Sequence, residues 1–336
     1  MKRILIIEPN WLGDILFTTP AIRALRENNS DAFIACMVHP RCVEMLEDNS
    51  DINKLIIFDE RGSHKGILAK ISFIFNLRKY KFDILVSFHR SMSRVLIAYL
   101  SGIPRRVGYY TKKRAWLLTD SVKPPVAQPH RVEYFLNITR ALGADTDNKD
   151  YQFNIPECSV LESKKILDKA GIGIDDEFFV INPGGNWLAK RWPSKSYANL
   201  CRELTAIYAK KILLTGATKD KDLAEEIIRM SSSMVIDLCG KTTLKELAAI
   251  MRRAKVVVAN DSGPMHIAIS QKAPTIALFG PTSSDITGPY GHGDYHVLKK
   301  ISDCAIPCYV VCDDYRCMKS IAVNDVVKAI GRITQN

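Results

Sequence analysis

The sequence predicts an α/β protein with two domains, each a parallel sheet covered by helices on both faces. A chain of 336 residues is long for one core and comfortable for two domains. Short β-rich runs alternate with amphipathic segments in both halves, which is the pattern of βαβ units. Between the halves, Ala144 to Pro156 is polar and rich in Asp, so we expect domains at 1–155 and 156–336. Two Rossmann-like domains of this kind are expected to face each other across a cleft.

In the first domain, each predicted strand is a short apolar run that precedes an amphipathic segment. The predicted strands are Arg3–Ile7, Phe33–Val38, Lys54–Phe58, Asp83–Val86 and Arg106–Gly108. The predicted helices are Asp14–Arg26, Arg41–Leu46, Lys65–Lys79, Ser93–Leu100 and Arg131–Leu142. Gly143 follows the last of these and is a typical C-cap, because glycine adopts the left-handed conformation without strain.

The second domain repeats the alternation after a helix at Val160–Ala170. Its predicted strands are Phe178–Ile181, Lys211–Leu214, Met234–Ile236, Lys255–Ala259 and Thr275–Leu278. Its further helices are Ser196–Tyr208, Asp220–Met230, Leu244–Arg253 and Met265–Ser270. A last helix, Val323–Ile333, can pack on either domain.

Composition describes a globular chain, with 47% hydrophobic and 25% charged residues. No run approaches the roughly 18 apolar residues of a membrane span. The first apolar run ends at Glu8 and Pro9 without a cleavage site, so we expect no signal peptide and a cytoplasmic protein.

The net charge of +11 narrows the classes of partner. Such a surplus of positive charge either forms a solvated face of the protein or favours binding of acidic substrates, an anionic membrane surface or nucleic acid. The sequence has no zinc-finger spacing, aromatic RNA-binding motif or basic-zipper heptads, which argues against nucleic acid. Neither half has the G-x-G-x-x-G fingerprint, which argues against a dehydrogenase.

The cysteines are unevenly distributed, and four of them cluster near the C-terminus. The chain has 9 cysteines, and the clustered ones are Cys304, Cys308, Cys312 and Cys317. Their spacing differs from the paired C-x2-C knuckles of zinc sites. Reduced structural thiols are the expectation for a cytosolic protein, with a metal site or a disulfide as alternatives.

The loop after the first strand contains the first candidate for chemistry. Gly13 is expected to let the chain turn sharply from strand to helix. Asp14 follows at the start of the predicted helix. An Asp there is either an ordinary helix N-cap or a general base at the mouth of a cleft.

In the second domain, the stretch Asn260–Ala268 leads from a strand into a helix. A helix start offers free backbone N–H groups and a positive dipole end, which suits a phosphate group. Pro264 fits there, because its missing N–H would have no helical partner. This stretch therefore predicts an anion site beside a carboxylate and an imidazole, Asp261 and His266.

Three other loops of this domain also follow strands and can converge on the same anion. Gly184 and Gly185 can bring backbone N–H groups close to it, and Lys190 adds charge. Asp220 is either an acceptor for ribose hydroxyls or a helix N-cap. A last loop begins at Gly280.

Four motifs in this order resemble glycosyltransferase family 9, and within it the ADP-heptose:lipopolysaccharide heptosyltransferases of the heptosyltransferase II type. The resemblance runs from residue 3 to about residue 330 and includes the cysteine loop. The motifs are Trp11–Asp14 with Thr19 and Pro20, Lys190–Pro193, Asn260–Ala268, and Gly280–Thr282 with Gly288–Gly291.

The resemblance implies a GT-B fold, with the donor nucleotide on the second domain and the acceptor on the first. It implies inverting transfer of L-glycero-D-manno-heptose from ADP-heptose to a lipid A–Kdo–heptose core acceptor. By the resemblance, Asp14 is the catalytic base and Lys190 steadies the diphosphate leaving group. The substrate-binding positions it implies are Gly13, Gly184, Gly185, Asp220, Asp261, Ser262, Gly263, Pro264, Met265, His266, Gly280 and Thr282.

The acceptor side is expected to use basic residues of the first domain, namely Arg90, Arg94 and His130. The basic residues that concentrate between Arg90 and Arg114 also suggest peripheral contact with the cytoplasmic face of the inner membrane. No metal or other cofactor is expected to be required, because Lys190 and the helix start can offset the leaving charge. A sugar-nucleotide epimerase, a transferase with another sugar donor and a non-catalytic sugar-nucleotide binding protein remain the alternatives.

Overall fold

The computed structural model divides the chain into two compact units, Met1–Phe153 and Asn154–Asn336. The residues that it describes are 1–231, 234–300, 312 and 314–335.

The first unit is a six-stranded parallel sheet with helices between the strands. Its elements are β1 (Arg3–Ile7), α1 (Leu12–Glu27), β2 (Phe33–Val38), β3 (Lys54–Ile57), α2 (Ile67–Arg78), β4 (Ile84–Ser87), α3 (Met92–Leu100), β5 (Arg105–Tyr109), β6 (Asp120–Val122) and α4 (Arg131–Arg140). Short 3₁₀ helices lie at Pro40–Met45 and Ala115–Leu117. The strand order is β3-β2-β1-β4-β5-β6.

The central strand of this sheet is β1, which pairs with β2 and β4. Ile4 is aligned with Ile34 on β2 and with Ile84 on β4, and all three are buried. A nearly continuous apolar run is what a strand covered on both faces requires.

Two elements of the first unit differ from the sequence prediction. The segment expected as a helix at Arg41–Leu46 is the 3₁₀ helix Pro40–Met45, because a proline start and so short a run favour a tighter turn. The strand β6 was not predicted, since it has three residues and a partly exposed edge position. The C-cap prediction is confirmed, because Gly143 has a φ of +76°.

The second unit also has a six-stranded parallel sheet. Its elements are α5 (Glu157–Lys169), β7 (Phe178–Asn182), α6 (Ser194–Tyr208), β8 (Lys211–Leu214), α7 (Lys221–Met230), β9 (Val235–Asp237), α8 (Leu244–Arg253), β10 (Val256–Asn260), α9 (Gly263–Ser270), β11 (Thr275–Phe279), α10 (Ser284–Thr287), β12 (Tyr295–Lys299), α11 (Arg316–Lys319) and α12 (Val323–Gln335). Short 3₁₀ helices lie at Leu188–Lys190 and Thr218–Asp220.

The strand order of the second sheet is β12-β11-β10-β7-β8-β9. Counted from its own first strand, this is the same order as in the first unit. In each sheet the order reverses beside the first strand, between β1 and β4 and between β7 and β10. Ligands of such folds bind at the carboxyl ends of the strands at this switch point.

The last helix, α12, contributes to the core of the second unit. Val326, Ala329 and Ile330 are buried in the same cluster as residues of α6 and of the sheet. The neighbouring edge strand β12 was not predicted, because its residues are partly exposed. Within the described ranges, no helix has the length and apolarity that crossing a membrane demands.

Candidate active site

At the switch point of the second unit, Asn260 joins the end of β10 to the loop after β7. Its side-chain amide donates to the backbone oxygens of Pro183 at 2.9 Å and Gly184 at 3.1 Å. Its Oδ1 accepts from the Tyr197 hydroxyl at 2.8 Å. The side chain is fully buried, so it fixes the shape of the loop that leads to Lys190. Sequence reasoning missed this role, although an Asn that ends an otherwise apolar strand was the signal.

The carboxylate of Asp261 is the meeting point of three loops. Lys190 Nζ lies 2.6 Å from Asp261 Oδ2, and the Thr282 hydroxyl donates to the same oxygen at 2.6 Å. Asp261 is buried, whereas the Lys190 ammonium is partly exposed and lies 4.9 Å from the centre of the Trp187 ring. The arrangement therefore presents a cation whose position is fixed by a buried anion.

The helix α9 begins directly beside this ion pair. Ser262 is its N-cap residue, followed by Gly263 and Pro264, while Met265 and His266 are buried. Pro264 has no N–H, and the Met265 N–H donates to the Ser262 carbonyl at 3.1 Å. The Ser262 hydroxyl is buried and has no hydrogen-bond partner in the part of the chain that the structure describes. This hydroxyl and the positive end of the helix suit an anion beside Lys190.

Asp220 connects the loops after β7 and β8. Its carboxylate accepts from the Ala217 N–H at 3.0 Å and from Arg191 Nη2 at 3.2 Å. Asp220 occupies the N-cap position of α7, as one of its two interpretations expected, although its carboxylate makes no capping hydrogen bond to that helix. A Cβ on Gly184 would lie 2.7 Å from Asp220 Oδ2, whereas the nearest atom to a Cβ on Gly185 is at 3.8 Å. Gly184 is therefore needed to make room for the buried carboxylate.

Gly280 is required by packing against α11. A Cβ there would lie 2.5 Å from Met318 Sδ and 3.1 Å from Cys317 Sγ. Cys317 is buried and Cys312 half-buried, and both are free thiols. Cys304 and Cys308 lie outside the described residues, so only Cys312 and Cys317 of the predicted cluster are described. Among the described residues there is no group of three or more potential His, Cys, Asp or Glu metal ligands.

In the first unit, α1 begins at Leu12, so Gly13 and Asp14 are its second and third residues. Gly13 is inside the helix and is not among the glycines with positive φ, so its expected special turn conformation is wrong. The N-cap interpretation of Asp14 is also wrong, because the N-cap residue is Trp11. Asp14 instead presents its partly exposed carboxylate in the first turn, with Arg131 Nε 4.0 Å from its Oδ1.

Asp14 lines a cavity of about 210 Å³ at the ends of β1 and β4. Arg90 lines the same cavity, and its Nε donates to the Tyr134 hydroxyl at 2.9 Å. His89 lies there too, where burial and the nearby Arg94 lower its pKa to about 4, so that it is neutral at pH 7.

A second cavity of the first unit, of about 490 Å³, is strongly basic. Arg41, Arg61 and Arg94 line it, and Glu60 is the one acidic residue of its lining. Arg94 is buried, with Nη1 3.3 Å from the Glu8 carbonyl oxygen and Nε 3.8 Å from Glu60 Oε2. Arg41 and Arg61 were missed, although they follow β2 and β3 at the same carboxyl edge that pointed to Asp14.

His130 is held by the core of the first unit. Its Nδ1 accepts from the Val132 N–H at 3.2 Å at the start of α4. Its ring packs edge-on against Phe17, with centroids 5.5 Å apart. His130 is not among the lining residues of the two cavities.

Comparison with known proteins identifies the family of the chain. Residues 71–313 match the model of glycosyltransferase family 9 (heptosyltransferase). The chain is 29% identical over 300 residues to lipopolysaccharide heptosyltransferase 2 of Salmonella typhimurium, covering 86% of each chain.

Solved structures support the same family. A glycosyl transferase family 9 structure from Veillonella parvula matches with a TM-score of 0.91 at 25% identity, covering 99% of this chain and 97% of that one. The E. coli ADP-heptose lipopolysaccharide heptosyltransferase II structure matches with a TM-score of 0.83 at 25% identity, covering 100% and 99%. The expected α/β fold of the GT-B class is thereby confirmed.

The family model covers most of the chain, and Asp14, Lys190 and Asp261 of the motifs lie in segments that follow β1, β7 and β10. The chain therefore belongs to glycosyltransferase family 9, the heptosyltransferases of lipopolysaccharide core synthesis.

Proposed function

We propose that this enzyme transfers L-glycero-D-manno-heptose from ADP-heptose to the inner core of lipopolysaccharide, with inversion at the anomeric carbon. The observation that carries the proposal is the meeting of Lys190, Asp261 and Thr282 beside the start of α9. A cation and a helix start together form a site for a diphosphate. The matching E. coli structure is that of an ADP-heptose lipopolysaccharide heptosyltransferase II, which supports ADP-heptose as the donor here.

The second unit would bind the donor. Lys190 would offset the charge that develops on the ADP leaving group, and the Ser262 hydroxyl would donate to a phosphate oxygen. Asp261, which is buried and fixed by Thr282, would accept from hydroxyls of the donor sugar. Because Lys190 and the helix start supply positive charge, the reaction as proposed requires no metal or other cofactor.

The first unit would bind the acceptor and activate it. Asp14 would take the proton from the acceptor hydroxyl as that oxygen attacks the anomeric carbon. The bond from the anomeric carbon to the phosphate oxygen would break, and ADP would leave with the electron pair. A general base of this kind contributes about 10²–10⁴-fold to a rate.

The basic cavity of the first unit suits the acidic groups of the acceptor. Arg41, Arg61 and Arg94 meet there with one neighbouring carboxylate, Glu60. Guanidinium groups bind carboxylates and phosphates through paired hydrogen bonds. Because a core acceptor on lipid A is anchored in a bilayer, the enzyme would work at the cytoplasmic face of the inner membrane by peripheral contact.

An ADP-release assay tests the proposal. Purified protein should release ADP from ADP-heptose when a heptose-deficient core acceptor is present, and only slowly without it. An epimerase would convert the sugar nucleotide without acceptor, and a binding protein would bind ADP in calorimetry without turnover. Release with a different nucleotide sugar, and none with ADP-heptose, would overturn the donor assignment while leaving the transferase class intact.

A further inference from the structure

The helix α2 exposes an apolar face. Ile67 is 77% exposed, Leu68 83% and Phe75 57%, and Ile71 is exposed as well. At about 100° per residue these four side chains lie within a sector of about 100°. Phe73 and Leu77, the buried residues of the helix, lie on the other side. Side chains of this size rarely remain exposed together without a partner.

A second exposed apolar group lies next to the end of this helix. Tyr99, Leu100 and Trp116 are exposed, and the rings of Tyr99 and Trp116 pack edge-on with centroids 6.2 Å apart. Arg78, at the end of α2, donates to the Leu100 carbonyl oxygen from Nε at 3.1 Å and Nη2 at 2.7 Å. The two groups are therefore neighbours, and we call them together the α2–α3 surface: Ile67, Leu68, Ile71, Phe75, Tyr99, Leu100 and Trp116.

The segment that contains this surface is strongly basic, although Arg61, Arg90 and Arg94 of it line the two cavities and Arg114 is buried. Residues 61–119 contain 13 Lys and Arg and a single acidic residue, Asp83, which is a net charge of +12. The whole chain has a net charge of +11, so the remainder has a net charge of −1. Lys65, Arg78 and Lys79 are exposed on or beside α2, and the Arg106 guanidinium lies 5.1 Å from the centre of the Tyr99 ring.

Exposed aliphatic side chains, exposed Trp and Tyr, and neighbouring cations that outnumber the anions are the features of a surface that binds anionic lipid. A second copy of the chain fits poorly, because pairing would bring two strongly positive surfaces together. We propose that the α2–α3 surface docks the first unit on an anionic lipid bilayer. This docking deepens the proposed function, because a lipid-anchored acceptor must be reached at such a bilayer. Only the purpose of the docking rests on the proposed function.

Vesicle sedimentation tests the docking. The wild type should sediment with phosphatidylcholine vesicles that contain phosphatidylglycerol, and added salt should weaken this binding. The triple variant Leu68→Ser, Ile71→Ser, Phe75→Ser should bind at least about tenfold more weakly, because it removes the groups that insert. The charge variant Lys65→Gln, Lys70→Gln, Lys79→Gln should also weaken binding.

Matched controls alter equally exposed residues of the second unit. Leu161→Ser, Ile174→Ser, Ile207→Ser is the apolar control, and Lys164→Gln, Lys169→Gln, Lys195→Gln is the charge control; all six residues are exposed. Both controls should bind vesicles like the wild type. Equal vesicle binding by the apolar variant and its control would overturn the proposal. The proposal would also be overturned if sedimentation velocity showed a wild-type dimer that only the apolar variant converts to a monomer.

Activity on two acceptors separates this proposal from the proposed function. The apolar variant should lose about tenfold in turnover on a core acceptor embedded in vesicles and keep wild-type turnover on the water-soluble, delipidated acceptor. If the wild type transferred heptose to neither acceptor, the proposed function would be contradicted. The vesicle-binding experiment would still test the docking proposal independently.

Discussion

The carboxylate of Asp261 organises the site of the second unit at the scale of single residues. It is buried and bonded both to an ammonium, from Lys190, and to a hydroxyl, from Thr282. A buried carboxylate is stable in its charged form only when such partners are present. The hydroxyl thereby orients the carboxylate that holds Lys190 in place.

Thr282 should therefore affect catalysis through Asp261. Thr282→Val removes the donor with little change in shape, and we expect kcat/KM for ADP release to fall about tenfold, as for loss of one hydrogen bond to a charged group. Thr282→Ser keeps the hydroxyl and should remain within about threefold of the wild type. Equal rates for the Val and Ser variants would show that the hydroxyl is not needed.

Glu8, directly after β1, should make the stability of the protein depend on pH. Burial raises its pKa from the ordinary value of 4.5 to about 8, although the Thr18 hydroxyl donates to its Oε2 at 2.8 Å. The folded state therefore keeps a proton that the unfolded state loses above pH 4.5. Stability attributable to this group is greatest below pH 4.5 and falls as the pH rises toward 8.

The measurement is urea unfolding of the wild type and of Glu8→Gln at pH 5 and pH 7. Relative to the variant, the wild type should lose about 3 kcal/mol over this range, because each pH unit corresponds to about 1.4 kcal/mol. Glu47→Gln, at an exposed position, should follow the wild type at both pH values. A pH-independent difference between the wild type and Glu8→Gln would mean that Glu8 is already ionised in the folded state.

At the scale of elements, the helices and strands could be predicted from hydrophobic periodicity, but the exact helix start could not. Asp14 reads as an N-cap because Asp is common there, yet α1 begins two residues earlier, at Leu12. The edge strands β6 and β12 were missed, because partly exposed strands lack the continuous apolar run that predicts a buried one. Tertiary packing decides such cases.

The loop after β7 offers a matched pair of substitutions. Gly184→Ala would place a Cβ 2.7 Å from the buried Asp220 carboxylate, whereas Gly185→Ala meets nothing closer than 3.8 Å. We expect Gly184→Ala to lower the free energy of unfolding by about 1–3 kcal/mol through overpacking. Gly185→Ala should change it by no more than about 0.5 kcal/mol. Thermal unfolding with ADP absent measures both, and equal destabilisation would contradict the packing reason given for Gly184.

At the scale of the whole molecule, the same strand order occurs twice, and it explains why the sequence could predict where the loops of each sheet gather. Residues after parallel strands gather at one edge of a sheet, so it could be predicted that the loops containing Lys190 and Asp261 lie at the same edge of the second sheet. Their partners were not predictable. Lys190 and Asp261 are 71 residues apart, and a single sequence contains no signal that pairs them. The position of Arg94, on α3, in the same cavity as Arg41 and Arg61 likewise depends on tertiary packing.

We propose Asp14 as the base of a transfer whose leaving group is bound by the second unit. Asp14→Asn keeps the size of the side chain and removes its basicity, while the residues that we assign to the diphosphate all lie in the second unit. The control is Glu27→Gln, at the exposed last residue of the same helix.

The most direct measurement is the acceptor-dependent rate of ADP release by Asp14→Asn, together with its affinity for ADP by calorimetry. We expect kcat to fall by about 10²–10⁴-fold with unchanged ADP affinity, and Glu27→Gln to behave like the wild type. Transfer by Asp14→Asn at the wild-type rate would contradict the assignment of Asp14 as the general base.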